Sequence, residues 1–211
     1  MSGDSMVRDL IILAADGQMT SAMGGILSRG KSLRFRDVDY DIYAHPEKDP
    51  GCFLRGDDFL RPFTRQYSHA LIMLDRSGCG REKQSREELE TDLEQRLSRS
   101  GWDDRAAAAV VIDPELEVWV WSDSPEVDAV LGWTGHEPGL ASWLGDQGYI
   151  QPGQTKPEEP KKALDHALRQ VRKSRSSTVF LQIAGRVSLH RCSDPAFAKL
   201  RGVLQRWFSL G

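Results

Sequence analysis

Cysteine is scarce. Cys52, Cys79 and Cys192 are odd in number, widely spaced and include no Cys-x-x-Cys pair. Neither a disulfide framework nor a structural zinc site is therefore suggested. Long apolar runs are also lacking: none approaches the ~20 residues of a membrane span. The first ten residues carry no basic, apolar and small-residue succession of a secretion signal. The expectation is a cytoplasmic protein with no membrane partner. No Gly-rich dinucleotide loop and no nucleophile elbow occurs, which counts against a small-molecule α/β enzyme.

What is present describes an ordinary folded chain: 211 residues, 39% apolar and 28% charged, enough to bury a substantial core. The net charge of −3 hides an asymmetry. Residues 161–211 hold eleven Lys or Arg against Asp165 and Asp194, a net +9, whereas the first 160 residues hold 17 basic and 29 acidic ones, a net −12. Such a basic quarter suits either a nucleic-acid backbone or the acidic remainder of the same chain.

The chain is best understood around residues 69–80. Ala70 to Leu74 is an apolar run of strand length, stopped by Asp75 and a Gly78-x-Gly80 turn. Asp75 thus falls at a strand's carboxyl end, where ligands sit in open α/β sheets. The plainer alternative makes Asp75 the N-cap of the following helix. Residues 9–15 form a second apolar run, ended by Asp16-Gly17, and residues 106–112 a third, ended by Asp113.

Helical spacing follows each run. Met19, Met23, Ile26 and Leu27 predict a helix over 19–28, with Gly24 and Gly25 accommodating close contact with the sheet. Ser85 and Glu88 form a capping box for a helix over 85–98 with a Leu89, Leu93, Leu97 stripe. Pro114 suits the first helical position, placing Glu117 in a first turn. An imperfect alternation predicts a strand over 33–43. Residues 45–51, with Pro46 and Pro50, read as a surface loop, against a weaker metal-cluster reading of His45, Glu47, Asp49 and Cys52. Residues 57–66 read as a short helix and 122–131 as another; 133–154 read as an irregular, lid-like connection. Helices are expected over 161–173 and 195–210, while 176–184 fits strand or helix. Trp119 and Trp121 are read as packing residues, His69 and His190 as packed or exposed histidines, and His166 as a histidine with no evident partner. Ser77 and Cys79 sit on a turn able to bear a nucleophile, but no His lies near them in sequence.

Alternating strand and helix implies an α/β fold with a mostly parallel sheet and helices on both faces. The expected organisation is a core over 1–150 and a basic, mainly helical C-terminal extension over 151–211 packed on it. Three strand ends would then gather Asp16, Asp75 and the acids from Asp113 to Glu117. Convergent carboxylates repel one another unless a hard cation neutralises them, and Mg²⁺ (or Mn²⁺) is held by one or two carboxylates plus substrate phosphate.

The acid-Gly turn after the first strand, the central strand ending in Asp75, and the Pro114-x-x-Glu117-x-Trp119 segment resemble the Toprim-like domains of bacterial phage-defence proteins. These include the nuclease half of overcoming-lysogenization-defect (OLD) nucleases and RloB-like proteins. Pro160-Lys161 before a helix, and Arg191-Cys192-Ser193 followed by Phe197 and Leu200, are similar to the closing segments of a Toprim-related family accompanying ATPases. A methylation-associated defence system is a further expected context. The resemblance implies a nuclease with catalytic and metal-binding acids at Asp16, Asp75 and Glu117. The chain departs from the pattern twice: Asp16 stands where Glu is usual, and Ser77 where the second acid of Asp-x-Asp would be, so that Glu82 or a water would complete the shell.

Two readings follow. In one, the chain is a Mg²⁺-dependent nuclease or phosphoryl-transfer subunit acting with an ATPase or other defence-system partner. Asp75 and Glu117 hold the metal, Asp16 positions or deprotonates water, and the basic tail from Lys161 tracks the phosphates of DNA or RNA. In the other, it is a degenerate Toprim-like scaffold that binds a partner or DNA.

Overall fold

The computed structural model describes residues 7–122, 124–187 and 192–210. The first half alternates strand and helix: β1 (Arg8–Ala14), α1 (Gly17–Leu27), β2 (Tyr40–Ala44), α2 (Lys48–Leu60), β3 (Tyr67–Asp75), α3 (Arg86–Arg99) and β4 (Ala107–Ile112). Helices then follow one another: α4 (Pro125–Leu131), α5 (Leu140–Asp146), α6 (Pro160–Gln170), α7 (Ser177–Arg186) and α8 (Pro195–Trp207). The four strands are all parallel, in the order β2-β1-β3-β4. Leu10 to Ala14 and Ala70 to Leu74 are wholly buried, as central parallel strands covered on both faces require.

The order of the strands reverses at β1. With right-handed crossovers this places α1 on one face and α2 and α3 on the other. Side-chain parity agrees. Leu13 and Ile72 are register partners, and Gly56 of α2 lies so close that a Cβ there would meet Ile72 Cδ1 at 2.8 Å. On the opposite parity Leu10 pairs with His69, whose ring packs on Trp207 and Phe208 with centroids 4.7 and 5.1 Å away. The protein is therefore α/β with helices on both faces of a parallel sheet.

The basic C-terminal part is packed on this core and shares its hydrophobic cluster. Trp119 donates Nε1–H to Asp194 Oδ1 (2.8 Å), the same atom that caps α8 through Phe197 N (3.0 Å). Trp121 donates to the Pro160 carbonyl at the start of α6, and Trp133 to the Ala167 carbonyl. The tryptophans thus pin α6 and α8 through one polar bond each while their rings fill the core. At Gly25, a Cβ would come within 2.8 Å of both Ala184 Cβ and Leu181 O. The glycine serves contact of α1 with α7, not with the sheet as expected, and Gly24 meets nothing.

Other expectations need correction. Only Tyr40–Ala44 of residues 33–43 is a strand; Gly30–Leu33 is a 3₁₀ turn. Phe35 is buried and Arg36 N bonds to Phe208 O (2.8 Å), so the apolar spacing records packing beneath the end of α8. The supposed loop over 45–51 contains the first turn of α2, a 13-residue helix running to Leu60 in place of the short one expected over 57–66. Pro50 lies in that first turn, where a missing N–H costs nothing. Pro114 does not open a helix: its carbonyl accepts Ser77 N (2.9 Å), and a 3₁₀ turn begins later, at Leu116–Trp119. Residues 133–154 are not a lid, since α5 buries Leu140, Trp143 and Leu144, and Trp143 packs on His166 of α6. His166 has a partner in Tyr149 Oη (3.1 Å). Residues 177–186 are a helix. His190 and Arg191 lie outside the described residues.

Candidate active site at the carboxyl ends of the strands

Reversal of strand order at β1 leaves a crevice beyond the carboxyl ends of β1 and β3, the usual ligand position in open α/β sheets. A cleft of about 260 Å³ opens there. Asp16, Asp75 and Glu117, the three acids singled out from sequence, all line it, together with Asp49, Glu115 and Ser77. Lys48, Lys161 and Arg175 supply positive charge from three separate elements.

Each acid is held differently. Asp16 caps α1, its Oδ1 accepting Gln18 N and Met19 N at 2.9 Å each. Asp75 does not cap α3, whose N-cap is Ser85, ten residues later, in a capping box. The Asp75 Oδ1 is sealed from solvent and has no hydrogen-bond partner among the described residues. Burial raises the Asp75 carboxyl well above the ordinary range, and the charges of Asp49, Glu117, Asp16 and Glu115 push it further. Glu117 is 2% exposed, and burial raises it too, opposed chiefly by Arg175, whose guanidinium bonds its Oε1. Arg175 also donates to Gln18 Oε1 (2.7 Å), lies 3.3 Å from Asp165 Oδ1, and packs over Phe180. Glu115 Oε1 accepts Lys161 N (3.0 Å) at the start of α6.

Other residues stand apart. Asp113 pairs with Arg76 (2.9 Å), outside the cleft lining. Glu82 turns its Oε1 to the amides of Gly78 (3.0 Å) and Gly80 (3.1 Å) and does not line the cleft. Cys79 is buried, and burial raises its thiol, which disfavours the exposed thiolate a nucleophile needs. His45 is likewise buried, its Nδ1 accepting Glu47 N (3.0 Å), and burial lowers its pKa.

Sequence reasoning missed three cleft residues. Asp49 reads as part of a loop and enters only the weaker metal-cluster reading with His45, Glu47 and Cys52, not this cleft; Lys48 precedes it, and Arg175 reaches Glu117 across 58 residues of chain. The basic C-terminal quarter was the one available signal for Arg175.

The donor set suits a hard divalent cation. The acids offer carboxylate oxygens, and the orphaned Asp75 Oδ1 is a buried acceptor without a donor. Among the described residues no three His, Cys, Asp or Glu side chains stand close enough to enclose a metal ion alone. Mg²⁺ does not ask for that, since it takes one or two carboxylates and completes its shell with water and phosphate. No family model, curated protein or solved structure matches the chain.

Proposed function

We propose that the chain is a Toprim-like, Mg²⁺-dependent nuclease or related phosphoryl-transfer subunit of a bacterial phage-defence system, acting with an ATPase or other partner. The observation that carries this reading is the sealed Asp75 Oδ1, which has no hydrogen-bond partner among the described residues, in a cleft shared with other acids and also lined by Lys48, Lys161 and Arg175. Neighbouring carboxylates explain a need for a cation, and the lysines and arginine explain a place for phosphate.

Asp75 and Glu117 are the residues to hold the metal, with Asp16 beside them. A bound Mg²⁺ would neutralise phosphoryl oxygens and lower the pKa of a water. The chain's own groups do the rest. Arg175 brings positive charge to the cleft wall, its guanidinium held by Gln18, Glu117 and Asp165 and packed over Phe180. Lys161, at the first turn of α6, adds a point charge on the same wall. Asp16 commits Oδ1 to the helix cap, leaving its other oxygen to orient a water or take its proton.

The test is cleavage of single- and double-stranded DNA and RNA with Mg²⁺ or Mn²⁺, using wild type and Asp75→Asn with and without the co-purifying partner. Metal-dependent cleavage abolished by Asp75→Asn supports the reading; cleavage that persists in the variant overturns it. One observation favours the scaffold alternative: Glu117 is already neutralised by Arg175. In that case Asp75→Asn leaves partner binding and phage defence intact.

A further inference from the structure

The resemblance leaves a gap at Ser77, where the second acid of Asp-x-Asp would stand. Glu82, the nearest candidate in sequence, is occupied elsewhere, its carboxylate satisfied by the Gly78 and Gly80 amides. A different acid stands against Asp75. Asp49 Oδ1 accepts the backbone N–H of Asp75 at 2.8 Å, which places its carboxylate directly at the end of β3. Both residues line the same cleft.

This placement is built by the turn between β2 and α2. Lys48 takes a left-handed φ of 52°, a region sparsely populated by residues other than glycine, and α2 starts there with Asp49 as its second residue. Gly51 has no Cβ because one would overlap the His45 ring, which sits beneath the turn. A second observation points to a ligand. Asp75 Oδ1 is shut away from water with no donor, next to a second carboxylate already fixed in position. Buried acceptors are otherwise satisfied, and an unpartnered buried oxygen with a second carboxylate at the same strand end suits a cation.

We propose that Asp49 supplies the carboxylate that Ser77 lacks, so that the divalent cation of this cleft is held by Asp75 from β3 and Asp49 from the β2–α2 turn. The inference rests on the divalent-cation reading above and adds a ligand from a strand end that the resemblance does not use.

The experiment is calorimetric titration of Mn²⁺ into the full chain and into Asp75→Asn, Asp49→Asn, Glu82→Gln and the double variant Asp49→Asn with Ser77→Asp. Asp49→Asn keeps a carbonyl oxygen to accept Asp75 N–H, and near-ultraviolet circular dichroism checks that it folds. The expected result is a loss of Mn²⁺ affinity of about tenfold or more in Asp49→Asn, no change in Glu82→Gln, and recovery in the double variant. Recovery shows that the site needs a second carboxylate, whatever the single change does to local packing. Unchanged affinity in Asp49→Asn, with binding lost in Asp75→Asn, overturns the role of Asp49 and leaves the cation reading standing. An absence of saturable binding in the wild type overturns both, and is told apart because Asp75→Asn then changes nothing.

Discussion

Two of the regions in which this molecule buries carboxylate oxygens do so in opposite ways. Along the outer edge of β4, Glu90 is 4% exposed and fully engaged: Arg86 Nη1 bonds both its oxygens at 2.9 Å, Val111 N donates at 3.0 Å, and Lys199 lies 3.1 Å away. Glu94 beside it accepts Ala109 N (3.1 Å) and Lys199 Nζ (2.7 Å). Two side chains of α3 thereby close an edge strand whose amides would otherwise stand open to another chain. At the carboxyl ends of the strands, by contrast, Asp75 keeps a buried oxygen with no partner among like charges. Burial of an acid does not mark a site; an unmet requirement does.

That contrast predicts stability changes of opposite sign. Glu90→Ala removes an acceptor from Val111 and the carboxylate that Arg86 Nη1 grips, and leaves Lys199 with Glu94 alone. It is expected to cost about 3 kcal/mol, a fall in melting midpoint of roughly 6–12 °C for a chain of this size. A fall of a degree or two in calorimetry would place Glu90 among ordinary surface acids.

Asp75→Asn is expected to raise stability without metal at neutral pH, by about 1–2 kcal/mol, because it removes repulsion and a desolvated charge. Urea unfolding measures this, and a destabilised variant would mean that the carboxylate is structurally satisfied after all.

The pH dependence sharpens the same point. Asp75, Asp49 and Glu117 all have folded pKa values raised first by burial. Each therefore binds its proton more tightly in the folded chain, so its stabilising contribution is full below the ordinary carboxylate range of about 4 and is lost as pH rises through the raised values. The stability advantage of Asp75→Asn over wild type should grow from about pH 4 towards neutrality. An advantage independent of pH would show that the raised protonation of Asp75 is absent in solution. The smallest effect belongs to Lys199→Ala, which leaves Arg86 on Glu90 and should cost about 1 kcal/mol.

Much of the scaffold was legible because its signals are local. The buried runs of β1, β3 and β4 stop at acids, the Ser85–Glu88 capping box opens α3, and strand ends of parallel βα units share one edge. Asp16, Asp75 and Glu117 were therefore found from sequence. Asp49 was hidden by Pro46 and Pro50, which mimic a loop although a proline in a helix's first turn is unexceptional. Lys48 depends on a left-handed backbone, and Arg175 on the packing of α7 against α1. No periodicity in a sequence announces either. The two regions of buried acid were equally unreadable as different in kind, because the distinction lies in donors contributed by distant chain: Lys199 comes from α8, and the Asp75 Oδ1 simply lacks one.

The central claim is that the cleft at the strand ends is built for a divalent cation. The most direct measurement is the melting midpoint of wild type and Asp75→Asn with and without Mn²⁺ at neutral pH. A ligand at a hundredfold excess over its Kd stabilises the folded state by about 2.7 kcal/mol, so Mn²⁺ should raise the wild-type midpoint by several degrees and leave Asp75→Asn unmoved. Equal shifts in the two proteins, or none in the wild type, would contradict the account.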